Sequence, residues 1–122
     1  MQDRIDLDKV KQAIRSFATE REWDQFHSPK NIATALSVES SELLEIFQWI
    51  NEDSSRGIMS DDSKATKIKE EVADIFYYLV RLSDLLKIDI EEEFWKKLSK
   101  NAKKYPVDLA KGTSKKYTEL KK

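Results

Sequence analysis

Glu39 stands inside an apolar helical face, and that placement constrains the chain more than any other feature of it. Read at about 100° per residue, Ile32, Leu36, Leu43, Phe47 and Ile50 share one side of a helix, and Glu39 falls within their arc. Glu42 lies on the flank, about one-sixth of a turn further round. An unpaired carboxylate facing a core is unfavourable, so Glu39 calls for a partner: a cation, a hydrogen-bond network or a metal. A second stretch, residues 65–86, repeats the pattern. Its apolar stripe is Ile68, Val72, Ile75, Leu79, Leu82 and Leu86, and Glu71 and Asp74 sit on its edge, again three apart. A single pair of this kind is common among surface acids of charged helices. Two pairs on the core sides of neighbouring helices can build an oxygen-rich cage, the ligand set of hard divalent cations, Mg2+ or Mn2+. Glu45 falls on the outward side of its helix and is left out of the site.

The remaining composition is consistent with helices. Gly and Pro occur only twice each while 37% of residues are charged, which points to an all-α protein, and 122 residues are read as a single domain. The absence of Cys excludes disulfides, zinc thiolates and thiol catalysis. The first residues show no cationic stretch followed by an apolar run, and no segment reaches membrane-spanning length, so a cytoplasmic protein with no membrane partner is expected. No nucleic-acid partner is expected either. The net charge is −1, yet ten lysines from Lys96 onward face only Asp108 and Glu119. Such a basic end is either a solvated tail or a holder of polyphosphate oxygens.

Four helices follow from the periodicity. The first runs from about Leu7 to Arg21, capped by Asp6, with Val10, Ile14 and Phe17 inward. A connection carrying Trp23, Phe26 and the sole histidine, His27, leads to Ser28-Pro29, a helix start with Ser as cap and Pro in the first turn. The second helix extends to about Asn51, and residues 52–62 read as a polar loop. Ser60 or Asp61 caps a third helix reaching Lys87. Asp89 caps a fourth, with Glu92 three residues on, acids opening it and lysines closing it. Phe94, Leu98, Ala102 and Tyr105 form its apolar side, Pro106 stops it, and an irregular basic arm remains. Four helices with aromatic groups left over point to a partner subunit over part of the surface.

Beyond the acidic pairs, the chain carries F-A-x-E-R-x-W-x-Q-F-H-x-P-x-N from Phe17, E-L-x-E-x-F-Q-W ending at Trp49, and D-x-x-x-Y from Asp74 to Tyr78. N-x-x-x-Y-P-V from Asn101 and K-x-Y-T-E-L from Lys115 follow. With these flanks the chain resembles the MazG-like nucleotide pyrophosphohydrolases of the all-α NTP pyrophosphatase superfamily, most closely the dCTP pyrophosphatase branch. The resemblance implies a four-helix bundle-like fold with a basic C-terminal arm, assembled as a homodimer or homotetramer. It implies Mg2+-dependent cleavage of a nucleoside triphosphate between its α and β phosphates, releasing the monophosphate and pyrophosphate. Glu39, Glu42, Glu71 and Asp74 would be the metal ligands. Trp23, Phe26, His27, Trp49 and Tyr78 would line the nucleotide pocket, and Lys97, Asn101 and Tyr105 would supply phosphate or sugar contacts, across a subunit interface in an assembly. Ile14 stands where dCTP-specific members carry a base-contacting histidine, which loosens the expected selectivity among pyrimidines.

The physical reading agrees. Clustered metal ligands neutralise a polyanion, and a carboxylate not fully used in ligation, Glu39 or Glu42, takes a proton from water. Lys97 and Asn101, one turn apart, share a helix face. The expected substrate is dCTP or a related pyrimidine dNTP. The alternatives are a house-cleaning hydrolase for modified dNTPs and a non-catalytic helical partner-binding protein. A di-iron bundle would want Glu-x-x-His motifs, and His27 stands in none.

Overall fold

Short polar side chains start each long helix. The computed structural model describes residues 5–120, and every regular element among them is helical. α1 (Leu7–Glu20) begins where Asp6 accepts hydrogen bonds from the backbone N–H groups of Asp8 and Lys9. α2 (Pro29–Phe47) begins where the Ser28 hydroxyl accepts from Asn31 N–H at 3.1 Å. Asn51 caps a short helix, α3 (Glu52–Arg56), and Asp61 caps α4 (Asp62–Leu85). Asp89 caps α5 (Ile90–Lys104), which is followed by the single turn α6 (Val107–Ala110). Three 3-10 turns intervene, at Asp24–Phe26, Ile58–Ser60 and Tyr117–Glu119.

Two expectations for the loops change. Residues 52–62 are not irregular: Asn51 Oδ1 accepts from Ser54 N–H at 2.8 Å, and the acids Glu52 and Asp53 occupy the positive end of the turn that follows. α2 stops at Phe47 rather than Asn51, its chain leaving through a tight turn in which Ile50 N–H bonds to the Phe47 carbonyl.

The chain forms two compact units, one ending at Lys87 and the next beginning at Ile88. In the first, α4 packs against α2 and, less extensively, against α1. Its core is small: Ile14, Ala18, Ile32, Ile58, Ala65 and Val80, with Arg81 and Ser83 buried beside them. The Arg15 guanidinium forks onto the Asp84 carboxylate, Nε at 2.6 Å, and clasps α1 to α4. The hydrogen bonds from Arg15 hold Asp84 below the usual carboxylate range.

The core stripe expected on α4 is only partly buried. Val72, Leu79 and Leu86 remain 53%, 39% and 48% exposed. α2 meets the side of α4 that carries Glu71, and α1 meets the side that carries Tyr77 and Asp84.

In the second unit Lys96 bridges to Glu92 and Glu93 one turn back on α5, at 3.1 and 3.5 Å. Tyr117 from the last turn meets Tyr105 edge to face, and the Lys104 ammonium lies 4.7 Å from its ring centre. The arm is therefore ordered against the end of α5. No helix among the described residues is long and apolar enough to cross a membrane.

Candidate active site

The pairing of α2 with α4 brings three of the acids together. Carboxylate oxygens of Glu39, Glu42 and Glu71 all lie within 4.8 Å of one another. Glu39 and Glu71 are half-buried, and Oε2 of each is buried with no hydrogen-bond partner. Carboxylate oxygens crowded at this spacing favour either a shared proton or a cation, and oxygen-only donors of this kind match the demands of a hard divalent ion. The Glu71 carboxylate, close enough to share a proton with Glu39, comes first among the causes, followed by burial and by Glu42, and together they push Glu39 up to about 8. An open cleft of about 420 Å³ adjoins the cluster, lined by Glu42, Glu45, Ile46, Lys67 and Glu71. Glu45 therefore borders the acids rather than facing away from them, and Lys67 brings a positive charge to their edge.

A second cleft of about 420 Å³ lies between α1 and α4. Its walls are Ala13, Ile14, Phe17, Trp23, His27, Asp74, Tyr77 and Tyr78. The local backbone explains how Trp23 reaches it. α1 ends in a paired cap in which Trp23 N–H bonds to the Ala18 carbonyl and Glu22 N–H to the Thr19 carbonyl, at 2.9 and 3.0 Å. Glu22 takes the left-handed conformation this cap needs, with φ of 56°. The turn folds Trp23 back over α1, where it meets Phe17 edge to face at 5.6 Å. Phe17 also meets Tyr77, and Tyr77 meets Tyr78, so the wall is a continuous run of aromatic contacts. Tyr78, on the wall of the aromatic cleft, also feels the acids. Burial first, and then charges that include Glu39, Asp74 and Glu42, raise its hydroxyl above the ordinary value, which keeps it a hydrogen-bond donor.

The connection from Trp23 to His27 is pinned from below by Arg81, only 5% exposed. Arg81 Nη2 donates to Asp24 Oδ1 at 2.8 Å and Arg81 Nε donates to His27 Nδ1 at 3.1 Å. Thr19 Oγ1 donates to the other Asp24 oxygen at 2.8 Å. Desolvation, and then the Arg81 charge, lower His27 below its ordinary value.

A model of the MazG-like family matches residues 34–120. The chain belongs to the MazG-like family. It is 35% identical over 114 residues to dCTP pyrophosphatase 1 of Homo sapiens, spanning 93% of this chain and 67% of that protein. Identity to dCTP pyrophosphatase 1 of Mus musculus is 34%, with the same shares covered. A pyrophosphatase from Archaeoglobus fulgidus matches with a TM-score of 0.77 at 34% identity, over 87% of this chain and 97% of the other. By class this MazG-like chain is an enzyme, a nucleoside triphosphate pyrophosphohydrolase, which sets aside the non-catalytic reading.

Among the residues expected in the site, Glu39, Glu42 and Glu71 meet. Asp74, expected as the fourth ligand, is exposed on the wall of the aromatic cleft rather than within the three-acid group. Trp23, His27 and Tyr78 line that cleft. Phe26 and Trp49 line neither cleft, and Trp49 stands 87% exposed beyond the end of α2. Lys97 and Asn101 lie on α5 and Tyr105 at its C-terminal cap, all in the second unit. Sequence reading missed Tyr77 and Arg81, although Asp74, Tyr77, Tyr78 and Arg81 recur at helical spacing and form one polar-aromatic stripe on α4.

Proposed function

We propose that this MazG-like chain hydrolyses a pyrimidine deoxynucleoside triphosphate, dCTP or a close relative, to the monophosphate and pyrophosphate with Mg2+. The observation that carries this reading is the group of three carboxylates, two with orphaned buried oxygens, next to an aromatic cleft large enough for a base. Glu39, Glu42 and Glu71 would hold the cation, joined in this reading by Asp74. When bound, Mg2+ supplies charge neutralisation for the triphosphate and acidifies water.

The chain's own groups do the rest. Glu39 or Glu42 accepts the proton as water oxygen attacks the α phosphorus, and the bond from that phosphorus to the bridging oxygen breaks to release pyrophosphate. The Tyr78 hydroxyl, which keeps its proton and borders the aromatic cleft, can donate to a sugar or phosphate oxygen. Trp23 offers a face for base stacking, which contributes roughly 1–3 kcal/mol without choosing among bases. The names of the relatives point to cytosine, and Ile14 in the cleft wall offers no polar group with which to separate it from uracil or thymine. Lys97, Asn101 and Tyr105 are proposed as phosphate or sugar contacts.

A panel of dCTP, dTTP, dUTP and dATP with Mg2+, products resolved by ion exchange, tests the proposal. Monophosphate and pyrophosphate are expected, with the pyrimidines ahead of dATP. Release of orthophosphate and a diphosphate would refute the cleavage site, and a clear preference for dATP would refute the pyrimidine pocket. Glu71→Gln should remove most of the activity.

A further inference from the structure

Arg81 is buried, permanently charged and can only donate hydrogen bonds. Its Nε donates to His27 Nδ1 at 3.1 Å, so that nitrogen must carry a lone pair. The proton of a neutral imidazole is then on Nε2. The guanidinium cannot swing away cheaply, because its Nη2 is held at 2.8 Å by Asp24, which Thr19 steadies in turn. His27 borders the aromatic cleft beside Trp23, their ring centres 6.2 Å apart. With Nδ1 engaged below by Arg81, the nitrogen left for a molecule in the cleft is Nε2, and it can only donate. The tyrosine hydroxyls on the same wall rotate and can donate or accept; His27 has no such choice.

We infer that Arg81 is a positioning residue that fixes His27 as a one-way hydrogen-bond donor, and that His27 Nε2–H reads a carbonyl oxygen on the base. Cytosine, uracil and thymine share a carbonyl at ring position 2, whereas adenine has none. A base without that oxygen covers the donor without pairing it, which is how a polar group rejects a ligand that stacking would accept. The inference rests on the nucleotide reading of the cleft and adds the group that separates pyrimidine from adenine.

The chain contains a single histidine, so its ring nitrogens can be observed directly by 15N–1H correlation in histidine-labelled protein. The wild-type spectrum at pH 7 should show Nε2 protonated and Nδ1 bare. Arg81→Met should move the nitrogens toward a mixture of tautomers, and Arg81→Lys should restore the wild-type state in part. Adding dCMP or dTMP should shift the Nε2 and Hε2 signals, and dAMP should leave them in place. In assays, Arg81→Met should compress the kcat/KM ratio of dCTP to dATP about tenfold, the effect of roughly one such hydrogen bond. An Nδ1–H tautomer in the wild type overturns the inference whether or not any variant folds. So does an unmoved Nε2 with dCMP and dTMP in protein that hydrolyses dNTPs, and that result leaves the hydrolase reading standing. Failure to hydrolyse any dNTP overturns the hydrolase reading and the base contact together, while the tautomer is still measured independently.

Discussion

Glu39 keeps its proton to about pH 8 because Glu71, burial and Glu42 all oppose a further charge in the same space. Between the ordinary carboxyl value of 4.5 and about 8, the folded chain binds a proton that the unfolded chain has released. This contribution to stability is present below that window and is lost as pH rises through it. Without divalent cations, the urea midpoint of the wild type should therefore fall between pH 5 and pH 8. Glu39→Gln should flatten that slope, and Mg2+ at pH 8 should recover the wild-type midpoint by binding the folded state. Parallel slopes for the two proteins would show that Glu39 does not share its proton in this way. That Glu39 needed a partner was legible from its place inside an apolar arc. The identity of its neighbours was not, because Glu71 approaches from a helix whose rotation no local rule sets.

The cap that ends α1 is the element on which the aromatic cleft depends. It holds Glu22 in the left-handed region, where a Cβ crowds the following carbonyl and glycine sits freely. Glu22→Gly should therefore stabilise the fold by about 0.5–1 kcal/mol, seen as a higher urea midpoint with an unchanged slope. The Glu22 carbonyl that accepts from Gln25 Nε2 is retained in that variant. A lower midpoint would mean that the Glu22 side chain contributes something the backbone geometry does not show. Helix starts were legible at Asp6, Ser28-Pro29, Asp61 and Asp89 because a cap acts within three residues. The end of α1 gave no such signal, since the left-handed position holds Glu rather than Gly. α3 and α6 leave no such mark in the sequence, because helices of 5 and 4 residues carry too little periodicity.

At the scale of the whole molecule, the open row on α4 supports assembly. Val72, Leu79 and Leu86 recur every seven residues, with Ile75 and Leu82 between them, the spacing of a helix–helix seam. We propose a homodimer or homotetramer in which a second copy covers this row. Sedimentation at assay concentrations should show an oligomer, and Val72→Glu should shift it toward monomer. A wild-type monomer with full activity would refute the proposal. The sequence by itself determined the all-helical class, the four long helices and the two acidic pairs, because composition, caps and helical periodicity act over a few neighbouring residues. Only the tertiary structure decided that Glu39, Glu42 and Glu71 meet while Asp74 borders the aromatic cleft. It alone showed that Trp49 stays outside that cleft and that Arg81 holds His27. These outcomes depend on how α1 and α2 are rotated about α4, and that rotation is set by packing and charge pairing between residues far apart in the chain, such as Arg15 with Asp84 and Phe17 with Tyr77.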